Sequence, residues 1–301
     1  MNEGVVCGDD LEKARTLIRS LFGANIVGVK RLGGMTNRSY KTDLSDGRSL
    51  VVRFPGEGTD AIINRSDECL STILGSACGV DTTLLYFGND GVKIMEYIPG
   101  AETMTASRLR EPQMIKAVAA IFRKLHSVGV DTKVNFDVFA MAEKYLSFIR
   151  EKSVALFDDF DIVTGEVSRI KGIVDSECDI RIVPCHCDSL CENWVLDSAG
   201  RLYLIDWEYA GMNDAMWDLA DISIEAAYDK DDDILLLDEY FCRPYTRQEY
   251  KNFTANKIYL DYLWTLWGKT RVPYEGEFME QYAFGRFVRL KESIRTFNGI
   301  H

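Results

Sequence analysis

Hydrophobic and polar positions alternate along most of the first hundred residues, after one segment with a helical repeat. In residues 9–22, apolar side chains recur at three- and four-residue spacing, and Gly23 follows, which is typical of an amphipathic helix and its end. The alternating segments that come next are bounded by turn-forming residues. They predict strands at residues 26–32, 40–44, 50–54 and 92–97, with a helix at residues 64–74.

Beyond Gly100 the pattern becomes mostly helical. Apolar residues line one face of residues 112–126, and a second helix is predicted at residues 138–151. A β-rich island at residues 194–205 interrupts this helical part. The change of texture predicts an α+β fold with two lobes, residues 1–97 and 98–301, and a functional site in the cleft between them.

Composition and charge exclude several classes of partner. The 301 residues are 47% hydrophobic and 27% charged, as expected of a globular chain. Acidic side chains number 47 against 35 basic ones, giving a formal charge of −12. Nucleic acids and anionic membranes attract basic surfaces, so neither is the expected main partner. An acidic surface suits a cationic small molecule, although solubility alone also explains it.

The expected location follows from what the sequence lacks. No apolar run approaches the roughly 20 residues of a membrane helix, and the acidic amino terminus has no apolar core, so it does not resemble a signal peptide. The 8 cysteines are scattered without framework spacing, which favours reduced thiols in a cytoplasmic protein. The oligomeric state leaves no signal in the sequence.

The segment CHCDSLCENW, residues 185–194, allows two interpretations. Its three cysteines and one histidine suggest a metal site. However, structural zinc sites need a second pair of ligands, and no second cysteine pair of suitable spacing is present. The cysteines are therefore expected to be small buried residues, which leaves Asp188 and Asn193 to carry the chemistry.

A hairpin after this segment brings two polar residues together. Residues 194–196 and 202–205 are short apolar runs around the turn-forming cluster at residues 197–201. If they pair, Asn193 and Asp206 become neighbours and offer the hard oxygen ligands that Mg²⁺ prefers. Asp188 lies on the loop that leads to this point, where its carboxylate can orient a hydroxyl group.

Five segments in order carry a family resemblance: LGGMTNRSY (32–40), VVRFPG (51–56), IMEYIPG (94–100), HCDSLCEN (186–193) and IDWEYAGMNDAMWDLA (205–220). Their combination is similar to the choline/ethanolamine kinases, especially the bacterial choline kinases, within the aminoglycoside-phosphotransferase and protein-kinase-like group. The resemblance implies a protein-kinase-like fold with an antiparallel sheet lobe followed by a larger helical lobe. It also implies ATP and Mg²⁺ as cofactors.

The resemblance assigns residues to the nucleotide, the metal and the reacting hydroxyl. Arg53 would contact phosphate, with Glu68 or the adjacent Asp67 as its ion-pair partner. Asp188 would be the base, while Asn193 and Asp206 would hold Mg²⁺; the role of Glu208 stays open. The implied nucleotide-binding set is Gly33, Gly34, Thr36, Asn37, Arg53, Glu68, Glu96, Ile98 and Ile205.

The resemblance also implies a cage for a quaternary ammonium group. Trp264 and Trp267 lie one turn apart on one helix face, and Glu225 and Tyr282 match the family's pocket glutamate and tyrosine. One departure is Leu190, which stands where eukaryotic members carry a glutamine. The expected function is phosphorylation of choline to phosphocholine.

Two alternatives stay open. The first is a kinase for ethanolamine, an aminoglycoside or another amino alcohol; carboxylates for a polycation are available in DKDDD, residues 229–233, although a solvated loop is the plainer interpretation of that run. The second is an inactive kinase-like binding protein, against which the presence of Arg53, Asp188, Asn193 and Asp206 argues.

Overall fold

The computed structural model describes residues 7–33, 37–56, 59 and 63–300. Residue contacts divide the chain into two compact units. The first unit joins the described residues up to Met104 to the segment Glu192–Ala210, and the second consists of Thr105–Cys191 and the described residues from Gly211 onward. The functional lobes at residues 1–97 and 98–301 stay a prediction.

The strands and helices are numbered in chain order. The strands are β1 (Ile26–Arg31), β2 (Arg38–Leu44), β3 (Ser49–Phe54), β4 (Leu84–Phe87), β5 (Lys93–Glu96), β6 (Glu102–Thr103), β7 (Ile182–Cys185), β8 (Trp194–Leu196), β9 (Leu202–Leu204) and β10 (Gly211–Asp214). The helices are α1 (Gly8–Phe22), α2 (Arg65–Ala77), α3 (Ala106–Leu109), α4 (Pro112–His126), α5 (Val138–Glu151), α6 (Phe160–Glu177), α7 (Ala215–Glu225), α8 (Lys230–Phe241), α9 (Arg247–Glu275) and α10 (Glu277–Asn298).

The first unit is built on an antiparallel sheet of order β1-β2-β3-β5-β4. The predicted strands are present, whereas β4 and the two-residue β6 were not predicted. Alternation along β3 sends Leu50, Val52 and Phe54 into a core with Ala14 and Ile18 of α1. Successive strand residues point to opposite faces, so the intervening Arg53 lies on the face away from this core.

A second, three-stranded sheet of order β6-β8-β9 completes the first unit. Trp194 pairs with Leu204 and Leu196 with Leu202, which confirms the predicted hairpin. Leu204 and Trp194 are fully buried, so their packing fixes which hairpin face is inside.

The second unit is mainly helical, with β7 and β10 as its antiparallel pair. Helices α5, α6, α7 and α10 pack against α9, and α4 packs against α8. Helix α9 is buried from Asn252 to Leu266 except at the half-buried Lys257, so it forms the centre of the unit. The α+β class and the order of a sheet-rich part followed by a helical part are confirmed. No helix in the described ranges is long and apolar enough to cross a membrane.

Candidate functional site

The hairpin places Asn193 beside Asp206. The Ile205 N–H group donates to the Asn193 carbonyl oxygen at 2.9 Å, so the β8–β9 pairing continues to the residues that precede the first strand and follow the second. Asp206 adopts a φ of 67°, in the left-handed region that side chains rarely enter. Such backbone strain persists only where the surroundings hold it, and it is common at functional residues.

A buried ion cluster surrounds Asp206 in the first unit. One terminal nitrogen of Arg53 lies 2.6 Å from Glu68, and the other lies 2.6 Å from Glu208 and 3.0 Å from Asp206. Glu68 is therefore the partner of Arg53, rather than Asp67. Burial alone would raise the pKa of Glu68, but the positive charges of Lys93 and Arg53 lower that pKa to about 2.

Two further cations hold the Glu68 carboxylate. Lys93 of β5 lies 2.8 Å from one oxygen, and Arg65 at the start of α2 lies 2.8 Å from the other. Lys93 is fully buried, which is unusual for a lysine and requires such pairing. Neither Lys93 nor Arg65 was among the candidates from the sequence. For Lys93, the available signal was a lysine inside the apolar strand VKIM.

Asn37 links the segment after β1 to the same carboxylates. Its side-chain NH₂ group donates to Asp206 at 3.3 Å and to Glu208 at 3.2 Å. Its side-chain oxygen, Oδ1, accepts from the Gly56 N–H group at 3.3 Å. Glu208, to which the sequence gave no role, thus contacts both Asn37 and Arg53. Burial and the charge of Asp206 raise the pKa of Glu208.

The oxygen atoms of this cluster fit a hard divalent cation. Carboxylate oxygens of Glu68, Asp206 and Glu208 lie within 4.8 Å of one another. Oxygen is the donor that Mg²⁺ prefers, and the predicted ligand Asn193 precedes the strand β8, whose partner β9 leads to Asp206. The donor set therefore suits the predicted Mg²⁺, and Glu208 extends the predicted pair.

The other predicted nucleotide residues lie around the sheet of the first unit. Gly33 is exposed after β1, Glu96 is exposed at the end of β5, Ile98 is buried and Ile205 is half-buried. Gly34 and Thr36 lie outside the described residues. The predicted contacts of this set with a nucleotide stay predictions.

Asp188 lies in the second unit, on the loop after β7. The backbone N–H groups of His186 and Cys187 each donate at 2.8 Å to the carboxylate of Asp218, which is fully buried in α7. The Nε2 atom of His126 lies 3.0 Å from the same carboxylate. Asp218 therefore fixes the backbone of the two residues that precede Asp188.

A second carboxylate of α7 fixes the backbone on the other side. Asp221 accepts a hydrogen bond from the Ser189 N–H group. Burial raises the pKa of Asp221 well above its usual value, and the charges of Glu225 and Asp188 raise it further. Asp218 and Asp221 were missed as candidates, although two carboxylates three residues apart on the otherwise apolar helix AMWDLADISI were a usable signal.

The cysteines of this segment are buried, as expected. Burial raises the pKa of the Cys185 and Cys187 thiols. His126, Cys185 and Asp218 lie close together, but both ring nitrogens of His126 have partners, Tyr240 at 2.9 Å and Asp218. These contacts describe a hydrogen-bonded brace and leave the zinc interpretation unsupported.

The predicted aromatic residues form a continuous row. The ring centroids of Trp264 and Trp267 are 5.8 Å apart, and those of Trp267 and Tyr282 are 5.7 Å apart, both edge to face. Burial, together with the charges of Glu225 and Asp188, raises the pKa of Tyr282 to about 12 against the opposing effect of Arg286. The structure thus groups Asp188, Glu225 and Tyr282.

Glu225 has a partner that the sequence did not reveal. Arg286 of α10 lies 2.5 Å from Glu225, and the two positions are 61 residues apart in sequence. The acidic run at residues 229–233 also differs from expectation: it begins α8, where Asp229 caps the helix and Asp233 is buried against Lys257. The prediction of a solvated loop at these residues was wrong, because they form the start of a helix.

Comparisons with known proteins agree on one family. Residues 29–265 match the family model described as choline/ethanolamine kinase. Protein LicA of Haemophilus influenzae is 29% identical over 267 residues, covering 85% of this chain and 76% of that protein. A choline/ethanolamine kinase family protein from Mesorhizobium loti has a TM-score of 0.83 at 31% identity, covering 95% of each chain. Choline kinase LicA from Streptococcus pneumoniae has a TM-score of 0.81 at 28% identity, covering 96% of this chain and 100% of that one.

Proposed function

Because this chain belongs to the choline/ethanolamine kinase family, we propose that it is an ATP-dependent kinase that phosphorylates the hydroxyl group of choline. The observation that carries the proposal is the grouping of Asp188 and Glu225 with Tyr282, which continues the aromatic row of Trp264 and Trp267. A quaternary ammonium has no N–H donors, so aromatic faces and nearby negative charge recognise it. A carboxylate in the same group can receive the hydroxyl proton.

Asp188 is assigned to the reacting hydroxyl. Its carboxylate accepts a hydrogen bond from the hydroxyl of choline and orients that oxygen for in-line attack on the γ-phosphorus. The proton passes to Asp188 as the new O–P bond forms and the bond to the ADP oxygen breaks. Asp218 and Asp221 hold the loop on either side of Asp188, which keeps the base in the required position.

The ion cluster of the first unit is assigned to the nucleotide. The planar guanidinium of Arg53 suits phosphate oxygens, and its buried pairing with Glu68 fixes its orientation. Asn193 and Asp206 would hold Mg²⁺, with Glu208 beside them, and bound Mg²⁺ would neutralise charge on the phosphates. In this proposal residues 1–97 are the nucleotide-binding lobe, residues 98–301 carry the substrate residues, and the enzyme acts in the cytoplasm.

An aminoglycoside is a poorer candidate substrate. A polycation requires several available carboxylates, but Asp229 and Asp232 already pair with Arg110, and Asp233 pairs with Lys257. Ethanolamine is also a substrate named in the family description, and a turnover experiment distinguishes it from choline.

The test is turnover of a substrate panel. Purified protein with Mg·ATP is offered choline, ethanolamine, methylthioribose and kanamycin, and products are identified by mass spectrometry. We expect phosphocholine from the wild type and a loss of at least about a hundredfold in kcat for Asp188→Asn, because base and positioning contributions are of this size. Asp179→Asn, at an exposed position on the same unit, is the matched control and should keep wild-type rates. No turnover of choline, or full turnover by Asp188→Asn, would refute the proposal.

A further inference from the structure

A buried arginine joins the two groups to which we assign the recognition of the ammonium ion. Arg286 is 6% exposed in α10. It donates from Nη2 to Glu225 at 2.5 Å and from Nε to the Tyr282 hydroxyl at 3.1 Å. Its remaining terminal nitrogen lies 3.3 Å from Asp261 of α9. One guanidinium therefore sets the position of both the carboxylate and the last ring of the aromatic row.

The same contacts balance the charge of the Glu225 carboxylate. Asp261 is fully buried and also pairs with Arg289, at 2.6 Å. Glu225 and Asp261 are thus matched by two guanidinium groups, and these four side chains carry no formal net charge. Glu225 is only 14% exposed and one of its oxygens accepts a hydrogen bond from Arg286, so fewer acceptor sites remain for a ligand.

This arrangement distinguishes two kinds of ammonium ion. A primary ammonium loses water from three N–H groups on binding and needs acceptors to replace it, and an unmet donor costs free energy. A quaternary ammonium has no such donors, so it gains from aromatic faces and nearby charge without needing hydrogen-bond acceptors. Resting on the function proposed above, we propose that Arg286 is a specificity-determining residue: by holding Glu225 and Tyr282 it makes the site favour quaternary over primary amino alcohols.

The experiment compares the kcat/KM ratio of choline to ethanolamine in wild type, Arg286→Gln, Arg286→Lys and Arg271→Gln. In Arg286→Gln the carboxylate of Glu225 becomes available to N–H donors and Tyr282 loses its anchor. The ratio should therefore fall by about tenfold or more, the size of one charged hydrogen bond, while KM for ATP changes by less than about threefold. Arg271→Gln removes a partly exposed guanidinium of α9, which pairs with Glu275, and should leave the ratio within about twofold of wild type.

Thermal unfolding and circular dichroism establish that each variant is folded. If Arg286→Gln does not fold, Arg286→Lys decides: it keeps the charge but cannot reach three partners at once, so the ratio should fall in the same direction by about threefold. A folded Arg286 variant that lowers kcat/KM for both substrates equally would overturn the inference and leave a purely structural residue. Wild-type protein without activity on choline would refute the proposed function and the inference together, whereas an active wild type with an unchanged ratio in the variants refutes the inference alone.

Discussion

The substitution Gly75→Ala adds one methyl group next to Trp207 and tests the packing beside the ion cluster. A Cβ atom at this position of α2 would lie 2.4 Å and 2.5 Å from two ring carbons of Trp207. Carbon atoms that are not bonded to each other prefer about 3.5–4.0 Å. Trp207 is buried and its indole N–H group donates to the Leu204 carbonyl at 3.2 Å, so the ring has little room to move.

The magnitude follows from two opposing effects of Gly75→Ala. Alanine favours the helix by about 1 kcal/mol relative to glycine. Inserting a methyl group into a packed region costs about 1–3 kcal/mol. Gly172→Ala is the matched control, because Gly172 is also inside a helix, α6, and a Cβ atom there meets nothing within 4 Å. In urea denaturation, the free energy of unfolding of Gly172→Ala should be about 1 kcal/mol higher than that of wild type. The free energy of unfolding of Gly75→Ala should be about 1–3 kcal/mol lower than that of Gly172→Ala.

The substitution should also change nucleotide use. Trp207 stands between Asp206 and Glu208, so a displaced indole ring moves the two carboxylates that we assign to the metal side of the site. We expect KM for Mg·ATP to rise more than KM for choline in Gly75→Ala, and neither to change in Gly172→Ala. Equal stabilisation of both variants, or an unchanged KM for Mg·ATP in Gly75→Ala, would refute the reasoning.

Two other perturbations test the aromatic row and a surface-proximal ion pair. Gly268→Ala brings a Cβ atom to 2.9 Å from Tyr282, so KM for choline should rise severalfold while KM for ATP stays constant. Steady-state kinetics in which both KM values rise together would contradict this expectation. Asp10→Asn removes an ion pair with Arg38 and should lower the free energy of unfolding by about 1–3 kcal/mol at pH 7. Although burial opposes it, hydrogen bonds from Arg38 and Tyr40 lower the pKa of Asp10 below its usual 3.8, so its stabilisation is complete above that pH and disappears in acid. The difference between wild type and Asp10→Asn in urea denaturation should therefore shrink as the pH falls below 3.8, and a difference that grew would contradict the assignment.

Local patterns were sufficient for the longer strands of the first unit, for its hairpin and for one pair of site residues. The alternation in residues 194–205 predicts a hairpin, and the residues that flank its two strands lie at the same end of the hairpin, so the proximity of Asn193 and Asp206 is expected from sequence. Alternation likewise places Arg53 on the face opposite to Val52 and Phe54, because side chains of a strand point to alternate sides.

Contacts between distant segments could not be predicted in this way. Arg286 meets Glu225 only because α10 folds back along α9, and no spacing within either segment encodes that meeting. Lys93 was overlooked for a different reason: a lysine is normally exposed, and only the presence of Glu68 on α2 makes its burial tolerable. A pattern shows which face of an element is buried, but the partner of a buried charge depends on the tertiary fold.

The acidic composition gains a different meaning once these partners are known. Arg53, Lys93 and Arg65 face Glu68, Asp206 and Glu208, so the first cluster contains as many basic as acidic groups. An uncompensated buried charge is costly, which explains why a chain with a formal charge of −12 places scarce basic residues there. The net charge therefore says little about the attraction of either cluster for a cation. Recognition of the substrate must come from local geometry, the aromatic row and the Glu225 carboxylate that Arg286 holds, and this is the reason why the Arg286 variants should change the choice of substrate.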